Sequence, residues 1–141
     1  MTKIRTRFSR KSKYYISRGA FLSAYGFSLT YNDLKREHDT LVGLTRGKGD
    51  GGEGSGGIGD PTASQAIRLA DLAEKINLIE QTAYDTDPPL HPYLLMYVTN
   101  EHMTFETVKA LGMPCERTMF YDRRRKYYWL LSVRMGLHPS S

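Results

Sequence analysis

Between Gly47 and Gly59, eight of thirteen residues are glycine, in the run GKGDGGEGSGGIG. Such a stretch has almost no side chain to bury and much backbone entropy to lose, so a core cannot be built through it. The chain is therefore expected to fold on either side of a flexible Gly-rich linker at 47–59. A basic N-terminal arm with short helices would occupy 1–46, and a helical domain 60–141. A phosphate-cradling loop is the functional alternative for these glycines. It fails on pattern, because there is no G-x-x-x-x-G-K-[ST] and no strand-like apolar run ahead of it.

Apolar spacing on both sides is helical. Phe21, Leu22, Tyr25 and Leu29, then Tyr31, Leu34, Leu41 and Val42, recur at intervals that predict one or two short helices before the linker. After it, Asp60 suits a cap and Pro61 a first helical position. Ala66, Leu69, Ala70, Leu72, Ala73, Ile76, Ile79 and Ala83 then trace one narrow stripe, which predicts a helix from about 61 to 84. So narrow a stripe packs on another helix of the chain or, in a homo-oligomer, on a second copy of itself. Pro88, Pro89 and Pro92 end that helix, and a short one restarts over about 92–100. The fold class expected is all-α, a small helical bundle for which 141 residues suffice.

The segment HMTFETVKALGMPCERTMFYDRRRKYYWLLSVRMG carries the sharpest pattern. Thr104 stands where an N-cap hydroxyl is wanted, Phe105, Val108 and Leu111 share a face, and Gly112 supplies a left-handed stop. Pro114 cannot continue the first helix, and a second begins near Cys115 or Glu116, with Phe120, Tyr127, Leu130, Leu131 and Met135 in helical period. Short helix, glycine-bearing turn and longer basic helix are the parts of a helix-turn-helix, here about 104–135, whose second helix (116–131) would enter a DNA major groove. Arg117, Thr118 and Tyr121 lie near the end that meets base edges, and Arg123, Arg124, Arg125 and Lys126 lie further along, where phosphates pass. The plainer alternative makes the four bases a solvated helix face. Tyr127, Tyr128 and Trp129, adjacent and so pointing in different directions, are expected in the core and at its boundary.

Charge placement agrees with a polyanion partner. The net charge is +5 and the isoelectric point about 9.3. Lys3, Arg5, Arg7, Arg10, Lys11, Lys13 and Arg18 make residues 1–18 basic with no acid, and residues 117–141 hold six bases against Asp122 alone. Residues 60–116 instead hold nine acids and three bases. Because charge acts locally, over about 8 to 10 Å in salt, two positive ends matter more than the total. Lys3, Arg5, Arg7, Arg10, Lys11 and Lys13 would form a phosphate-binding arm, and a merely solubilising surface is the alternative.

Enzyme chemistry finds little support. His38, His91, His102 and His138 stand in no metal-ligand spacing, and with one cysteine, Cys115, there is neither a zinc set nor an internal disulfide. No metal site and no cofactor are expected. Asp85 and Asp87 lie where a helix ends against prolines and serve turns well, which leaves acid–base catalysis the weaker option. The start of a basic helix could lower the pKa of Cys115, although a thiol packing the turn needs no partner. The basic N-terminus lacks a signal peptide's apolar stretch, and no run of about 18 apolar residues occurs, so a cytoplasmic protein with no membrane partner is expected.

The stretches KINLIEQTA and MTFETVKALGMPCERTMFYDRRRKYYWLL resemble helical phage and prophage transcriptional regulators of the RinA and ArpU type, whose C-terminal half is similar to region 4 of a sigma factor. The resemblance covers about residues 60–136, with FYDRRRKYYWLL its most specific part. The loop from Gly112 to Thr118 is one residue longer than in most bacterial modules, and residues 1–59 do not match. The resemblance implies a non-enzymatic, sequence-specific double-stranded DNA-binding regulator. Two other functions stay open: a DNA-packaging protein of the small-terminase kind, and an adaptor that docks on RNA polymerase through its acidic middle.

Overall fold

The computed structural model describes residues 13–51 and 60–137. Lys3, Arg5, Arg7, Arg10 and Lys11 of the expected arm, residues 52–59 of the glycine run and His138 lie outside the described residues. Among the described residues there are six α-helices, one 3-10 turn and no strand, so the protein is all-α.

α1 spans Arg18–Leu29. It starts at Ser17, whose hydroxyl accepts the Ala20 amide at 3.3 Å, and buries Ala20, Phe21, Ala24 and Ser28 at helical spacing. The chain breaks at Thr30 and restarts at once as α2, Tyr31–Gly51. α2 therefore continues through Gly51, into the segment expected to be linker from Gly47. Once a helix is nucleated, each further residue gains a backbone hydrogen bond for fixing only one residue, and this extends it past the composition boundary.

α3, Asp60–Thr86, exceeds its expected span at both ends, and Asp60 is its first helical residue rather than its cap. Leu72, Ile79, Thr82, Ala83 and Thr86 are buried, whereas Ala66, Ala70 and Ala73 of the expected stripe are exposed. Leucine and isoleucine remove more apolar area from water than alanine does, so they decide which way the helix turns. The 3-10 turn Pro88–Leu90 follows, capped by the Asp87 carboxylate on the Leu90 amide at 3.1 Å, and leads into α4, His91–Val98. α5 is Phe105–Ala110 and α6 is Arg117–Arg134.

The described residues form two compact units, divided at 30/31 and 77/78 rather than at the glycine run. Tyr31–Asn77 is one. There Arg68 forks onto Glu37 through Nε at 2.8 Å and a terminal nitrogen at 2.7 Å, and that contact holds the Glu37 carboxyl below its ordinary range. Both groups are exposed, so the pair orients the helices more than it stabilises them.

The other unit combines the described residues up to Thr30 with those from Leu78 onward, and contains the core. α1 packs on α6. The Phe21 ring meets Tyr128 edge-on at 5.1 Å, and Tyr127 and Tyr128 meet at 5.1 Å. Leu94, Val98, Val108, Met113, Phe120 and Leu131 complete a cluster from which water is excluded. Each such side chain contributes about 2 kcal/mol by burial. α1 belongs to this core, although its sequence has the look of an appended arm.

Candidate nucleic-acid interface

α5 is built as its sequence requires. Thr104 caps it, with Oγ1 accepting the Thr107 amide at 3.1 Å, and Phe105 and Val108 face inward. Leu111 does not join them: the helix ends at Ala110 and Leu111 is exposed at the turn. Gly112 is left-handed, at φ 110°, which lets the Met113 amide reach back to the Val108 carbonyl at 3.2 Å. Met113 is buried behind it, and Lys109 Nζ donates to the Cys115 carbonyl at 3.1 Å.

The connection from Leu111 to Glu116 is thus pinned at three points. Burial raises the Cys115 pKa, against the lowering that a helix start offers, and its thiol lies 3.3 Å from the Met113 sulfur. Cys115 packs the turn. Glu116 occupies the cap position of α6 without a side-chain capping bond.

α5 and α6 meet through rings: Phe105 lies 5.7 Å from Phe120 and 6.2 Å from Tyr121. Arg117 covers Phe105 at 4.6 Å and donates to Glu106 at 2.5 Å. α6 turns Phe120, Tyr127, Tyr128, Leu131 and Ser132 inward. Its opposite side carries Thr118 and Met119, both exposed, and the half-exposed Asp122, Arg125, Lys126 and Trp129. Tyr127 and Tyr128 in the core and Trp129 at its boundary match the sequence expectation.

The basic run divides by role. Arg123 is a structural cation: its Nε donates to Asp87 at 2.8 Å and a terminal nitrogen to Asp122 at 2.7 Å. The Asp87 side chain is only 12% exposed, so this charge holds the start of the 3-10 turn onto α6. Arg124 is caged, with its guanidinium 5.8, 5.6 and 5.9 Å from the ring centres of Tyr97, Tyr121 and Tyr128. Tyr121, expected among the base-reading residues, is half-buried and forms one wall of that cage. Arg123, Arg124 and Tyr121, expected to meet DNA, are instead each engaged by acids or rings distant in sequence while staying partly exposed. Arg125 lies 3.8 Å from Asp122, and Lys126 has no ion-pair partner among the described residues.

The candidate catalytic acids are likewise occupied. Asp85 accepts from Arg134 at 2.6 Å and Gln81 at 2.9 Å, and these bonds lower its pKa. Asp87 holds Arg123 and the Leu90 amide. His91 Nδ1 lies 2.9 Å from the Pro88 carbonyl and its ring packs on Tyr84. Among the described residues no three His, Cys, Asp or Glu side chains are grouped closely enough to hold a metal ion, and no helix is long and apolar enough to cross a membrane.

An open cleft of about 740 Å³ lies beside α6, between Lys13–Tyr14 and the Thr86–Pro89 turn. Linear spacing does not announce it: Arg123 and Asp87 are 36 residues apart, and Trp129 meets Tyr14 from the other end of the chain. No family model, curated protein or solved structure matches this chain.

Proposed function

We propose that this chain is a sequence-specific, double-stranded DNA-binding transcriptional regulator of the phage type, presenting the outward side of α6 to the major groove. The observation that supports it most is the combination of a short capped helix, a left-handed glycine turn and an 18-residue basic helix whose exposed first turns carry Arg117 and Thr118, with Arg125 and Lys126 on the next. The first helix braces the second through Phe105 and Phe120, as a reading helix requires. The likeness of FYDRRRKYYWLL to RinA- and ArpU-type regulators points the same way.

In this function Thr118 and Arg117 meet base edges, and Arg125 and Lys126 neutralise phosphates. Arg117 would exchange its Glu106 partner for the nucleic acid, at small cost because the pair is exposed. Arg123 and Arg124 act only by holding α6 in place.

Selection of a random duplex pool by the purified protein at two salt concentrations, with sequencing of the retained fraction, tests this. An enriched motif that survives the higher salt supports a specific regulator. Salt-sensitive retention without enrichment replaces it with the packaging function, and no retention at all replaces it with the polymerase adaptor.

A further inference from the structure

Residues 13–17, just before α1, lie against α6. Ile16 is 1% exposed, and the Tyr14 ring lies 5.5 Å from Trp129, tilted by 53°. This places Lys13 and Lys126 on one cleft, together with Asp87, Asp122 and Arg123.

The charges in that cleft are unequal in availability. Arg123 is spent on Asp87 and Asp122. Lys13 and Lys126 have no acidic partner among the described residues, and Lys13 is exposed. An ammonium is a point charge that neutralises phosphate without demanding fork geometry, which suits a backbone contact rather than a base contact. Pro88 and Pro89 give the cleft an apolar wall against which a sugar can lie. In sequence, Lys3, Arg5, Arg7, Arg10 and Lys11 lead directly into it.

We propose that this cleft is a backbone clamp: one sugar-phosphate strand of the duplex passes between Lys13 and Lys126, so that the N-terminal segment and α6 grip the same DNA as one surface. The clamp rests on the DNA-binding function proposed above. It makes Tyr14 on Trp129 a positioning contact, because that contact brings Lys13 within reach of the strand that α6 addresses.

The test is binding of the full chain to a mixed-sequence duplex of about two helical turns, followed by fluorescence anisotropy across a salt series. Lys13→Gln and Lys126→Gln each lower affinity about 3- to 10-fold and reduce the salt slope by about 1, as loss of one phosphate contact does. The double substitution costs clearly less than the product of the two, since with one wall gone the strand no longer sits against the other. Tyr14→Ala, which removes no charge, reproduces the loss of Lys13→Gln.

Lysine variants whose losses multiply independently, or that bind as wild type, overturn the clamp, whatever Tyr14→Ala does. Wild-type protein that binds no duplex overturns the proposed function itself. Wild-type binding that falls with Arg125→Ala but not with either lysine variant overturns the clamp alone.

Discussion

The hydroxyls of Ser28 and Tyr127 share a 2.8 Å hydrogen bond in the core, between α1 and α6. Ser28 donates its proton to the Ala24 carbonyl at 2.9 Å, so the phenol is the donor in the shared bond. The two ends of this bond are therefore not equivalent. Ser28→Ala strands a buried phenol donor and is expected to cost about 2 kcal/mol; Tyr127→Phe leaves Ser28 still bonded to Ala24 and is expected to cost about 1 kcal/mol. Denaturant unfolding of the two variants checks the order, and the reverse order would reassign the proton.

Arg123 is expected to be a stability residue. Removing it leaves the largely buried Asp87 carboxylate without its cation, so Arg123→Ala should lose about 2 kcal/mol. Arg125→Ala should cost less than Arg123→Ala, because its contact with Asp122 is longer and half-exposed. Thermal melts of both separate the roles. Equal melts would mean that the four-base run is a uniform surface after all.

Gly112→Ala should destabilise by about 1 to 2 kcal/mol. Two costs coincide there: a left-handed φ of 110°, and a new Cβ 3.3 Å from the Tyr93 hydroxyl. Gly136→Ala pays only the first, since nothing lies within 4 Å of its added Cβ. The comparison, made by chemical denaturation, should show Gly112→Ala as the costlier of the two.

Burial raises the pKa of Tyr127 and of Tyr128 well above the ordinary phenol. A folded pKa above the unfolded one contributes stability that is complete below about pH 10 and is lost as pH rises beyond it toward the folded values. Alkaline unfolding should therefore coincide with phenolate absorbance from both rings, and Tyr128→Phe should move its midpoint to higher pH. At the acid end the sign reverses for Asp85. The Arg134 and Gln81 bonds lower its pKa, so its contribution is complete above about pH 4 and fades as pH falls through the folded value. Arg134→Gln should flatten that acid limb in a pH series of melting temperatures.

The helices themselves were legible from local chemistry. Thr104 and Gly112 bound α5 as cap and left-handed stop, and Pro88 and Pro89 separate α3 from α4, whose first turn accommodates Pro92, because caps and breakers act within four residues of where they stand. The reach of α2 through Gly51 was not, since composition registers the cost of glycine but not the propagation of a helix already begun.

The candidate site divides along the same line. From sequence alone came the all-α class, the short helix, turn and basic helix, and the basic segment at the other end, all set by spacing, capping and charge within a few residues. Only the tertiary structure decided that Arg123 belongs to Asp87, that Arg124 sits among three tyrosines and that Tyr14 rests on Trp129. An arginine is a free cation in the sequence and stays one only if folding brings no acid or ring to it. That depends on contacts 36 residues away for Arg123, and no local pattern encodes them.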